Sequence, residues 1–140
     1  GVIFAATVAA YRVDPGTTLT QLATLAARLY AASGNFTVLH LVTSAHAMRL
    51  LLPWLDADAA AAALGHYWLA YAAGHAASGL SSAGAAREPA APLRPWPEIV
   101  ARAIASDDDH HIKLVDSCRE QARAYGGAVW REAASRDLRQ

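Results

Sequence analysis

Cysteine, methionine and lysine each occur once in the 140 residues, at Cys118, Met48 and Lys113. A lone cysteine excludes an internal disulfide and a cysteine-based structural zinc site, so a reducing, cytoplasmic setting is expected. An excess of charge is also missing. Twelve basic and 12 acidic side chains balance, which removes the electrostatic footprint that nucleic acid or an anionic membrane surface would demand. The opening GVIFAATVAA lacks a basic n-region and is far shorter than the ~18 apolar residues of a membrane span, so neither a targeting segment nor a membrane partner is expected. No glycine-rich phosphate loop and no GxSxG elbow around Ser44 or Ser117 is present. The His-Asp pair of the HD phosphohydrolases occurs only in reverse, as Asp109-His110.

Alanine fills much of the remaining space, at 35 positions, and 54% of the chain is hydrophobic. The length suits one compact domain, and apolar positions recur at three- and four-residue spacing, so the expected fold class is all-α: a bundle-like domain of about six helices over 1–140. Thr17 or Thr18 is expected to cap a helix carrying Leu19, Leu22, Leu25, Ala26 and Leu29, ending near Ser33-Gly34. A second helix starts at Asn35 or Thr37 and stops before Pro53. Asp56 or Asp58 caps a third, running to about Ala73. Glycine, serine and then proline dominate 74–97, which reads as a long loop crossing the surface or covering a site. Pro97 suits the first turn of a short helix over 98–105. Ser106 with Asp107, Asp108 and Asp109 reads as the cap and acidic first turn of a helix to about Tyr125. Gly126-Gly127 ends it, and a last helix covers 128–138.

Six histidines exceed what packing in so apolar a domain requires. His110 and Lys113 are three residues apart and share a helix face, while His111 lies about 100° away and points elsewhere. His40 and His46 differ by about 120° on a regular helix, and His66 and His75 sit roughly opposite each other. Core imidazoles and solvated aspartate caps are the bland explanation for each of these residues. Cys118 reads as a small core residue. Lys113 stands apart as the only lysine beside 11 arginines. A lysine can be driven to its neutral form by desolvation or nearby positive charge, and arginine cannot, although a bias toward arginine would also leave few lysines.

Two segments resemble the questin oxidase-like proteins. FTVLHLVTSAHAMR, residues 36–49, resembles their LH-x-VT-x-x-HA-x-R segment, and DDDHHIKL, residues 107–114, resembles their DD-x-H-x-IKL segment. The resemblance implies an all-α, non-haem oxygenase that cleaves a ring of an aromatic polyketide such as an anthraquinone, with dioxygen as co-substrate. It implies iron(II) held by histidines and a carboxylated lysine, which carries over here as His40, His46, His110 and Lys113 as metal ligands; the reductant is left open. A carbamate forms only on a neutral amine and turns a cation into a hard anionic oxygen donor, which with imidazoles suits iron(II). Asp107, Asp108 or Asp109 is expected to orient an imidazole, and Tyr67, Trp68, Tyr71 and Trp96 either line a flat apolar pocket or pack the core.

The family proteins are longer and carry a further histidine-bearing helix before the first motif. The chain is therefore expected to be the C-terminal part of such a protein. A fourth imidazole would come from His66, His75 or His111, from another chain, or from an N-terminal half. The alternative is a helical interaction or scaffold domain without catalytic activity, its flat alanine-rich faces inviting self-association. The two readings differ in geometry: convergence of His40, His46, His110 and Lys113 favours a metal, and dispersal into solvent favours the scaffold.

Overall fold

The computed structural model describes residues 6, 8, 10–82 and 92–136, and among them there are six named helices and no strand. They are α1 (Thr18–Ser33), α2 (Phe36–Leu51), α3 (Ala57–Ser78), α4 (Trp96–Ala105), α5 (Asp109–Tyr125) and α6 (Val129–Ala134), with a 3-10 turn at Leu52–Trp54 between α2 and α3. The all-α expectation holds.

Local chemistry sets most of the boundaries. Gly34 closes α1 in the left-handed conformation, φ 63°, and donates its N–H to the Tyr30 carbonyl. A β-carbon there would also meet Arg136 Nε at 2.6 Å, so the position needs glycine for both conformation and space. Asn35 then caps α2, its side-chain oxygen accepting from Val38 N–H, and Asp56 caps α3 by accepting from Ala59 N–H. Pro53 falls in the 3-10 turn and stops α2 at Leu51.

Five boundaries differ from the sequence expectation, the smallest at α4, which starts at Trp96 rather than at 98. Helix α3 runs on to Ser78 instead of stopping near Ala73. Gly74 does not break it, because alanines on both sides sustain the helix and a β-carbon at Gly74 would lie 2.9 Å from Leu41 Cδ2, so a glycine here permits close approach to α2. Gly79, at φ 69°, is the cap instead. The connection to α4 is correspondingly shorter than 74–97, and the stretch 83–91 lies outside the described residues. At the start of α5 the cap is Asp108, accepting from the N–H groups of His110 and His111, whereas Ser106 finishes α4 by donating to the Ala103 carbonyl. Between them Asp107 takes φ 52°, which an Asp side chain tolerates better than most. Thr17 occupies the cap position of α1 without a side-chain bond, and Thr18 Oγ1 accepts from Asp14 N–H. The last helix is shorter than 128–138, and residues 137–140 lie outside the described set.

Helix α2 is the centre of the bundle, packed against α1, α3 and α5. Its buried residues are Val38, Leu39, Leu41, Val42 and Ala45. α3 runs antiparallel to it: Ser44 Oγ lies 3.2 Å from Tyr67 Oη, and Asn35 Nδ2 donates to the Ser78 carbonyl. α5 runs parallel to it, with His40 beside His110 at one end and Arg49 bonded to Gln121 further along. Alanines explain how α1 packs so closely. Ala23, Ala26 and Ala27 are fully buried beside Leu22, Leu29 and Tyr30. On α3, alanine occurs on every side and gives no hydrophobic stripe; Leu64, Tyr67 and Tyr71, at i, i+3 and i+7, alone mark the buried face together with Ala72. Trp130 of α6 is buried and donates its indole N–H to the Gly126 carbonyl.

Two substitutions check this layout. Asn35→Ala removes the α2 cap and should cost about 1 kcal/mol; Leu39→Ala, on the buried face of the first turn of α2, should cost about 2–5 kcal/mol. Urea unfolding followed by circular dichroism should show both losses with little change in slope.

Candidate metal centre

The parallel seam between α2 and α5 is where the two sequence segments meet. His40 projects from the second turn of α2 and His110 from the first turn of α5, and their rings lie 5.7 Å apart, centroid to centroid, nearly edge to face. Phe36 joins them, 4.8 Å from the His40 ring and 5.0 Å from the His110 ring, while leaving 57% of its surface exposed. Sequence reasoning gave Phe36 no role at the site. Its position one turn before His40 was the available signal.

The start of α5 collects negative charge around His110. Its Nδ1 lies 3.0 Å from Asp109 Oδ1 and 3.6 Å from Asp108 Oδ1. Asp108, Asp109 and His110 each offer a ligand atom within 4.8 Å of the others, the one such group among the described residues. Two carboxylates are stable here because the first turn of a helix presents unsatisfied N–H groups and the positive end of its dipole. Asp109 also accepts from Lys113 Nζ at 2.6 Å, and that bond, with the charges of His110 and Lys113, holds its carboxyl below the usual carboxylate range. Lys113 itself is 66% exposed along its side chain. It shares the His110 face, as its spacing requires, but reaches back toward Asp109 rather than into the core. The geometric test therefore divides: the rings of His40, which is exposed, and His110 approach each other, whereas His46 lies further along the seam against Arg49 and Lys113 lies in solvent on a surface ion pair.

His46 sits further along the same seam, half-buried. The Arg49 Nη2 group lies 3.4 Å from its Nδ1, and Arg49 Nε donates to Gln121 Oε1 at 2.9 Å. A guanidinium can only donate, so Nδ1 of His46 is the acceptor and its lone pair faces Arg49. Burial, and then the Arg49 charge, keep the imidazole below its ordinary pKa, against the opposing pull of Asp116 and Glu120. The anchoring role of Arg49 was not foreseen, although it stands three residues after His46 inside the first segment.

The remaining histidines are dispersed. His111 is buried on the other side of α5, beside Ile99 and Ala134, as its 100° offset from His110 implies. His75 is held by the Leu80 carbonyl 3.1 Å from its Nε2, and His66 is exposed on α3. Of the aromatics, Tyr67 is buried against Ser44, and Trp68 and Tyr71 border a cleft between α1 and α3. Trp96 packs at the edge of the core. Cys118 is buried, and desolvation pushes its thiol up to about 12, which fits a core residue. No helix among the described residues is long and apolar enough to cross a membrane.

A helical domain with paired imidazoles and carboxylates on one seam is the kind of scaffold on which oxidoreductases build metal sites. Residues 3–118 match the family model described as questin oxidase-like, and the chain belongs to the questin oxidase-like family, an oxidoreductase-type assignment. The matched span contains both the α2 segment and the start of α5. No curated protein and no solved structure matches the chain.

The pH dependence at His46 has a defined sign. Because its folded pKa lies below the unfolded value of about 6.5, the unfolded state takes up the proton more readily. The native protein should therefore lose stability as pH falls from about 6.5 toward the lowered folded value. His46→Gln should flatten that part of the stability curve, and Arg49→Met should raise the ring's titration midpoint. Urea unfolding at a series of pH values reads the first effect, and proton NMR titration of the metal-free protein reads the second.

Proposed function

We propose that the chain carries the metal-binding part of a questin oxidase-like oxygenase that opens a ring of an aromatic polyketide, with His40, His46, His110 and Lys113 as ligands of iron(II). The observation that supports this reading is the 5.7 Å approach of His40 to His110 from two different helices, beside the carboxylates of Asp108 and Asp109. Neutral imidazoles with hard oxygen donors fit a divalent first-row metal, so the donor set agrees with the group. When bound, such an ion supplies the one-electron chemistry by which dioxygen is activated.

The chain's own residues do the rest. Asp109, 3.0 Å from His110 Nδ1, orients that ring and fixes the opposite nitrogen, Nε2, as the ligand atom. Lys113 would serve as an oxygen ligand once it leaves Asp109, loses a proton and, as the neutral amine, adds dissolved carbon dioxide with release of a second proton to give a carbamate; losing the ammonium also frees Asp109 for His110 alone. His46 joins by turning its lone pair away from Arg49, which remains anchored on Gln121. The exposed face of Phe36 beside both imidazoles offers a stacking surface for a flat aromatic substrate. Water exclusion requires a cover over this seam, and a further N-terminal histidine helix or a second chain would supply both the cover and the remaining imidazole.

A scaffold without catalytic activity is the second reading, and one observation favours it: Lys113 is 66% exposed in an ordinary i, i+4 ion pair. Metal analysis separates the two. Full-length protein purified without added metal should contain near-stoichiometric iron, and His110→Ala should lower the content by at least about tenfold. Lys113→Arg keeps the charge but cannot form the carbamate, so it should lower iron content and activity together. Iron content that is negligible in the wild-type protein leaves the scaffold; unchanged content in Lys113→Arg removes the lysine from the ligand set.

A further inference from the structure

Charge is spread unevenly along the chain. Of the 12 basic and 12 acidic side chains, only Arg49, Asp56 and Asp58 fall within 36–78, the span that holds α2 and α3. The single charge on α2, Arg49, is turned onto Gln121. A helix that is apolar on all sides belongs in an interior, yet α1, α3 and α5 close only three sides of α2. Among the described residues the fourth side stays open.

That open side is one continuous stripe. Phe36, His40, Thr43, Ala47 and Leu50 follow one another at four- and three-residue steps, with Leu51 at the edge, and Trp54 carries the stripe onto the 3-10 turn. Exposure is 57% at Phe36, 52% at Leu50, 48% at Leu51 and 86% at Trp54. These four side chains open on the order of 500 Å² of largely apolar surface, at the upper end of the largest patch that a monomer shows. On α3, packed beside α2, Ala70 and Ala77 are exposed as well. With them and the small residues of the stripe, the face approaches the ~800 Å² that each partner gives to a standard interface.

The order of side-chain sizes along the stripe identifies the occupant. Large rings stand at both ends, at Phe36 and Trp54, and small side chains in the middle, at Thr43 and Ala47. Turned end for end, the stripe matches itself: Phe36 falls opposite Trp54, His40 opposite Leu50, and Thr43 opposite Ala47. Small residues at the crossing let two backbones approach, and no charged side chain of the stripe meets its own copy. Self-complementarity of this kind is what a two-fold interface requires, and an unrelated partner has no need of it.

We propose that the open face of α2 binds a second copy of this chain, the two α2 helices packing antiparallel about a two-fold axis midway between Thr43 and Ala47. Phe36 and the His40–His110 pair lie at the end of this face, so the second copy also brings a cover to the metal seam. The pairing does not rest on the metal reading, because metal-free protein tests it.

Sedimentation equilibrium of the metal-free chain, over a series of micromolar concentrations, should give twice the monomer mass of 14.8 kDa. Ala47→Glu sets like charges beside the axis from a position that is exposed in the single chain, and should weaken dimerisation at least about a hundredfold while leaving the helical circular dichroism unchanged. Ala47→Lys should do the same, and mixing the two variants should restore the dimer. Trp54→Ser removes the most exposed contact and should weaken pairing at least about tenfold. A wild-type mass that stays at 14.8 kDa overturns the proposal. A dimer that Ala47→Glu or Trp54→Ser leaves undiminished overturns it too, since the copies then pair through another face, and so does a mixture of the two Ala47 variants that remains monomeric.

Discussion

The buried side of α2 is the constraint on which the rest of the molecule depends. Val38, Leu39, Leu41, Val42 and Ala45 leave almost no surface exposed, and three helices must close on them at once. That is possible because the partners are small where they approach: the alanines of α1 and Gly74 of α3 allow close contact. Once α1 and α3 have covered two sides, α5 is left the third and takes it in parallel orientation. Arg49 to Gln121 fixes the register. His40 and His110 meet as a consequence of that packing, since neither makes a strong contact with the other.

The seam therefore combines an inner apolar half with an outer polar half. Val42, Ala45, Leu114 and Cys118 all belong to one buried cluster, while His40, His110, the aspartates and Lys113 occupy the rim. A rim position keeps imidazoles and carboxylates solvated enough to accept or release a cation. It also explains why Lys113 rests on Asp109: an exposed ammonium one turn from a carboxylate pairs with it at little cost. Phe36, Leu50, Leu51 and Ile112 are exposed on the same two helices. Apolar side chains so placed gain from any segment that covers the rim. The 3-10 corner adds Trp54, 86% exposed.

Helix existence was legible in the residues because caps and breakers act locally. Asn35, Asp56, Gly34 and Pro53 each did what their chemistry dictates within one turn. The misplaced end of α3 has an equally local cause read in the wrong context: Gly74 looked like a breaker, yet its lack of a side chain serves the approach of Leu41. Asp108, rather than Ser106, took the α5 cap because Ser106 keeps helical backbone at the end of α4 and Asp107 turns the chain at φ 52° before α5 begins. The resemblance to a known family rested on the α2 and α5 segments, and both lie within the span that the family match covers.

The sequence by itself determined the fold class, the helix inventory, the family, and which face of α5 His110 and Lys113 share, because periodicity and capping are functions of neighbouring residues. Only the tertiary structure decided that α2 and α5 run parallel, and hence that His40 meets His110 while His46 is engaged by Arg49. It also decided that Lys113 turns to Asp109, and that Trp68 and Tyr71 border a cleft on α1. These depend on distances between residues far apart in the chain. Such distances are set by how buried faces of several helices fit together, and no spacing within one helix contains them.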